Sequence, residues 1–129
     1  MDSNKRLSEQ VLKCAQNVSH GLGAGFLEKV YENALCIELT QAGILFQCQQ
    51  QFDISYRDEN VGNYIADIVV DDRLLIELKA LSGFSKEHDA QVMNYLKASG
   101  LTVGLLLNFG VTRLGIRRIV WNYDDENNI

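Results

Sequence analysis

The stretch "ADIVVDDRLLIELKA" (66–80) limits the fold more than any other part of this chain. Two aliphatic, β-branched runs flank Asp71, Asp72 and Arg73, the pattern of a buried β-hairpin, yet Asp67, Glu77 and Lys79 sit inside those runs. Side chains alternate faces along a strand, so hairpin register decides where the three polar residues go. With a three-residue loop, Val70 faces Leu74, Ile68 faces Ile76 and Ala66 faces Leu78, giving one wholly apolar side. Asp67 then stands across from Glu77 on the other side, with Lys79 one pleat further along. A two-residue loop would pair Val70 with Arg73 and Ala66 with Glu77, mixing charge into both faces. Hydrophobic matching selects the first register.

That register sets two carboxylates about 4.5–5.5 Å apart at Cβ, an arrangement that repels and costs more where water is scarce. A proton on one carboxyl, the Lys79 ammonium alone, or a divalent metal would each offset the cost. Hard cations such as Mg²⁺ take oxygen ligands and commonly use only one or two protein carboxylates. The metal solution carries chemistry with it. A cation held this way polarises a phosphate and lowers the pKa of bound water, while a nearby lysine stabilises developing charge.

Around the hairpin the elements follow the order ααβββαββ. Ser3 or Asn4 can cap a helix through about His20, with Leu7, Val11, Leu12, Ala15 and Val18 at helical spacing, and "GLGAG" (21–25) breaks it. A second helix, about 26–42, puts Leu27, Val30, Tyr31, Ala34, Leu35 and Leu39 on one broad face and stops at Gly43. Strands follow at about 45–56, 63–70 and 74–80, separated by "RDENVG" and "DDR". A helix at about 86–99 ends before Gly100, and strands near 103–109 and 114–122 complete the order.

At 129 residues and 47% hydrophobic the chain suits a single domain. No stretch reaches the roughly 20 apolar residues needed to span a bilayer, and no leader-like segment opens the sequence, so a cytoplasmic protein is expected. Cys14, Cys36 and Cys48 are widely spaced, without a CxxC pair, and read as reduced packing thiols. A net charge of −5 argues against generic nucleic-acid binding, although Arg113, Arg117 and Arg118 could form a local basic surface. Acidic residues gather in "DDEN" (124–127) and around 53–72.

These residues resemble the PD-(D/E)XK nuclease superfamily, with Asp67 as its first acidic element and "ELK" (Glu77, Leu78, Lys79) as the second. Within it the chain looks like the small GxxExxY proteins, whose namesake spacing Gly25, Glu28 and Tyr31 reproduce in "GFLEKVY". The likeness continues through "YENALCIEL" (31–39) and "AQVMNYLKASGLTVGLLLNFG" (90–110), and Gln91 and Tyr95 fit the QxxxY element of RecB-like members. Ala66 stands where the superfamily's name has proline.

The resemblance implies a restriction-endonuclease-like αβββαβ core with an extra N-terminal helix and a mixed central sheet flanked by helices. It further implies Glu28, Asp67, Glu77 and the Leu78 backbone carbonyl as ligands of Mg²⁺ or Mn²⁺. Lys79 would assist the attacking water, Gln91 would orient the site, and DNA would be the substrate. A homodimer would supply recognition surface that so short a chain lacks.

Each role has a structural rival. Glu28 borders the apolar stripe and is a ligand or a solvated edge glutamate. Glu38 projects nearer mid-stripe and is expected as a buried partner for a basic residue. Tyr31 reads as core, Gln91 and Tyr95 as a site pair or a surface pair one turn apart. His20 reads as a helix-end residue and His88 as exposed. The arginines solvate a strand edge or contact phosphate. The functional alternatives are a metal-dependent deoxyribonuclease, a catalytically inactive member that binds nucleic acid or protein, and a hydrolase of another phosphorylated substrate.

Overall fold

The apolar spacing of the first forty residues produces two helices that pack together, α1 (Leu7–Leu22) and α2 (Glu28–Gln41). A computed structural model describes residues 6–123 and residue 129. The Ser3 or Asn4 cap and the "DDEN" tail lie outside the described residues. Gly23, at φ 72°, ends α1 with its amide donating to the Ser19 carbonyl, a backbone conformation that glycine adopts without penalty. The later elements are β1 (Phe46–Tyr56), β2 (Glu59–Val70), β3 (Leu74–Lys79), α3 (Lys86–Ser99), β4 (Val103–Asn108) and β5 (Gly115–Val120).

The five strands form one sheet in chain order, β1-β2-β3-β4-β5. Every neighbour is antiparallel except β3 and β4, which run parallel because α3 carries the chain back between them. Alternation on β3 assigns the two faces. Leu74, Ile76 and Leu78 join Val11 and Val18 of α1 and Tyr31, Leu35 and Leu39 of α2 in one core. Leu75 joins Val92 and Leu96 of α3 in the other. This is the mixed sheet flanked by helices, with an extra N-terminal helix, of the restriction-endonuclease-like core.

The hairpin adopts the three-residue loop: Val70 pairs with Leu74, Val69 with Leu75 and Ile68 with Ile76. Asp71 and Asp72 both take positive φ, and the Arg73 amide donates to the Val70 carbonyl. The expected Ala66–Leu78 pairing does not form. Between the pairs Cys48–Ile68 and Gln50–Ala66 the β1–β2 register omits Gln49 and Asp67, and Gln49 has φ 55°. Across this point both strands exchange faces. Phe46, Cys48, Ile68 and Val70 pack with α1 and α2, whereas Phe52, Ile54, Tyr64 and Ala66 pack on the α3 side.

Two other departures have local causes. The turn expected over 57–62 tightens to Arg57 and Asp58, both left-handed, so Glu59–Gly62 extend β2 as an exposed hairpin arm. Leu27 is 81% exposed and Val30 is also exposed, because α2 starts at Glu28 and its first turn projects past the core that buries Tyr31, Leu35 and Leu39.

Candidate functional site

The face exchange at Asp67 is what builds the site. Where β2 leaves its ladder with β3, the Asp67 side chain takes over as acceptor, Oδ2 receiving the Leu78 amide at 2.8 Å. Glu77, on the α3 side of β3 like Leu75, is buried at 6% exposure, and its Oε1 has no hydrogen-bond partner among the described residues. Its carboxyl is pushed up from 4.5 to about 9, first by burial, then by the Asp67 charge and a hydrogen bond that the protonated acid donates to Asp67. The Lys79 ammonium acts in the opposite direction. The opposed-carboxylate arrangement read from the sequence is therefore present, as a side-chain cluster at a break in the ladder.

Tyr95 of α3 faces the same cluster, and Gln91, one turn before it and exposed, bonds to Tyr95. The Tyr95 hydroxyl is held above its usual range by burial, then by the charges of Glu77 and Asp67, and is lowered by a hydrogen bond with Gln91. Tyr95 lies flat against Tyr64 at 3.9 Å between centroids, and Tyr64 stacks in turn on Phe52 at 5.3 Å. The Tyr64 hydroxyl donates to the Tyr95 carbonyl at 3.0 Å, fixing α3 against β2.

Glu28 is not brought to this cluster. It is exposed at the start of α2, whose core-facing side packs on the opposite face of the sheet. Among the described residues no three His, Cys, Asp or Glu side chains are grouped to hold a metal ion. Tyr31 is core, as expected: its hydroxyl donates to the Gly23 carbonyl at 2.6 Å and accepts the Phe26 amide, and its ring stacks on Phe109 at 4.8 Å. Glu38 accepts from the Asn17 amide group, a neutral partner instead of a basic one. His20 is exposed at the end of α1. His88 is half-buried, its Nδ1 accepting the Ser85 amide in a capping box for α3, which corrects the expectation of exposure.

The arginine group divides, because adjacent strand residues point to opposite faces. Arg117 meets Asp89 of α3 at 2.8 Å and lies over the Phe84 ring, while Arg118 donates to the Ser8 hydroxyl of α1 and the Ile129 carbonyl. Arg113 is exposed beside His20 in a separate cleft. The single basic surface is thus absent among the described residues.

Two polar residues escaped the sequence reading. Glu32 is buried, with Oε2 accepting from Lys29 at 2.6 Å and Oε1 from Gln49 at 2.8 Å, so it anchors the β1 bend opposite Asp67. Its spacing to Leu35 and Leu39 was the available signal. Asn108 is buried beside the end of β3 and clamps the chain leaving Lys79: Oδ1 accepts the Leu81 and Gly110 amides, and Nδ2 donates to the Leu81 carbonyl. A Cβ on Gly110 would lie 2.3 Å from the Leu81 nitrogen. Gly110→Ala should therefore cost about 2 kcal/mol through forced backbone displacement, seen as a lower urea midpoint at unchanged m.

Two carboxylates, one of their oxygens without a partner among the described residues, would suit a hard divalent cation that completes its shell with water. The sequence profile of the PD-(D/E)XK nuclease superfamily matches residues 5–119. A search of curated proteins gave no match. Among solved structures, "Crystal structure of SSO0001" is similar at TM-score 0.58 and 16% identity, covering 78% of this chain and 53% of that one, so the present chain spans about half its length. An alkaline exonuclease (LHK-Exo) from Laribacter hongkongensis is similar at TM-score 0.53 and 14% identity, over 98% of this chain and 74% of that one. At these identities the structural likeness shows a shared fold.

Proposed function

Because the chain belongs to the PD-(D/E)XK nuclease superfamily, we propose that it hydrolyses DNA phosphodiesters with a divalent metal, as a member of the GxxExxY group. The observation that carries this reading is the buried Glu77 carboxyl beside Asp67, with an oxygen that no group among the described residues satisfies. Asp67, Glu77 and the Leu78 backbone carbonyl would hold Mg²⁺ or Mn²⁺, with Glu28 outside the set in this conformation. When bound, such a cation supplies Lewis acidity and a nucleophilic water. Lys79 stabilises charge on the phosphate or orients the water, and Gln91, bonded to Tyr95, positions the substrate side of the site.

One observation favours a second reading, a catalytically inactive member that binds nucleic acid or protein. A proton on Glu77 shared with Asp67 already relieves the repulsion, so the pair can persist without a cation. Melting and cleavage separate the two. For the enzyme, saturating Mn²⁺ or Mg²⁺ should raise Tm by about 5 °C, since binding to the native state alone is stabilising. Mn²⁺ should also support cleavage of single-stranded, double-stranded or branched DNA that EDTA stops and Asp67→Asn abolishes. No metal shift and no cleavage would overturn the enzyme reading. A metal shift without cleavage of any DNA or RNA form would move it to another phosphorylated substrate.

A further inference from the structure

Cys36 on α2 and Cys48 on β1 bring their Sγ atoms to 2.8 Å, across two elements separated in sequence by the helix end and the turn at Gly43. Both are free and half-exposed, whereas Cys14 is buried in the α1 core. Cys48 precedes Gln49, the left-handed residue that Glu32 anchors opposite Asp67, and Cys36 lies one helical turn beyond Glu32. We propose that Cys36 and Cys48 are a reversible dithiol–disulfide pair, oxidised by exchange with a small-molecule disulfide and fastening α2 to β1 at this bend. The inference is independent of the nuclease reading.

The exchange balances as follows. The Cys48 thiolate attacks the small disulfide, expelling one thiolate and forming a mixed disulfide. Cys36 gives up its proton to solvent and attacks the Cys48 sulfur, closing the Cys36–Cys48 bond and expelling the second thiolate. Two protein thiols are oxidised and one small disulfide is reduced to two thiols. Cys36 suits the second step. Its thiol is pushed up to about 12, first by burial, then by its hydrogen bond with Cys48 and the Cys48 charge, with Lys29 acting in the opposite direction. Capping Cys48 removes its thiolate charge and weakens it as the acceptor of the Cys36 thiol's hydrogen bond, leaving burial and Glu32 to oppose ionisation of Cys36.

Incubation of the folded full chain with oxidised glutathione, followed by thiol counting in denaturant and peptide mapping, tests the pair. The expected result is loss of two of the three thiols, a Cys36–Cys48 peptide link and a mass lower by two hydrogens. Tm should rise by about 5–10 °C and fall back with dithiothreitol. Cys14→Ser should still lose two thiols, and Cys36→Ser should form no internal link. Three thiols remaining, a stable glutathione adduct, a link through Cys14 or a link between two copies would each overturn the proposal, and the wild-type map alone reads all four.

Discussion

Lys79→Ala should lower Mn²⁺-dependent DNA cleavage by about 100- to 1,000-fold, the loss typical when a preorganised charge stabiliser is removed from a transition state. The substitution is well suited to separating chemistry from folding. Lys79 ends β3, its side chain is only half-buried, and its backbone stays fixed because its carbonyl accepts the Phe109 amide at 2.8 Å. The core side chain at this end of β3 is Leu78, on the opposite face. The metal-induced rise in Tm should therefore persist in Lys79→Ala, with the deficit in kcat, read by single-turnover kinetics on the DNA form that wild type cuts. Equal cleavage by both proteins would indicate a contaminating nuclease and sink the catalytic assignment.

Glu77→Gln should stabilise the metal-free protein by about 3 kcal/mol at pH 7, with the gain vanishing near pH 4.5. The Glu77 pKa is raised from 4.5 to about 9 in the fold, so between those values the native state holds a proton that the unfolded chain has released. Stability from the neutral acid is fully present below pH 4.5 and is lost as pH rises to about 9. Urea titrations of both proteins across this window measure the difference. A cation favours the ionised carboxylate and must displace the proton, so the metal-induced Tm shift of wild type should be larger at pH 8.5 than at pH 6.5. A pH-independent difference between the two proteins would show that burial of charge at Glu77 is not the cause.

Hydrophobic matching was enough to predict the hairpin register, because only one loop length leaves Val70, Leu74, Ile68 and Ile76 on a common face. It failed at Ala66, two residues on, because a single left-handed residue on the neighbouring strand reverses both strands, and glutamine at 49 gives no warning of positive φ. The α2 stripe was legible at Tyr31, Leu35 and Leu39 but not at Leu27 and Val30, since periodicity reports the face of a helix and not how far the sheet extends beneath it. For the site, Glu77 interacts with Asp67 and Lys79, and Tyr95 with both carboxylates and with Gln91. Asn108 was hidden because its partner Leu81 is supplied by tertiary structure, and for Glu32 the helical spacing signalled a core-facing position but not its partner Gln49. The division of Arg117 from Arg118 follows from strand alternation and could have been read in advance.

The sheet's chain-order sequence of strands has a consequence for how the molecule assembles. Three of the four ladders join strands connected by short loops, and the fourth is closed by α3, so most β pairing requires little loop-closure entropy. The Ser8 hydroxyl, in contrast, donates to the Ile129 carbonyl across 121 positions. The strand framework that carries Asp67 and Glu77 can therefore form through near-neighbour steps, with the α1 seam against Ile129 drawn shut afterwards.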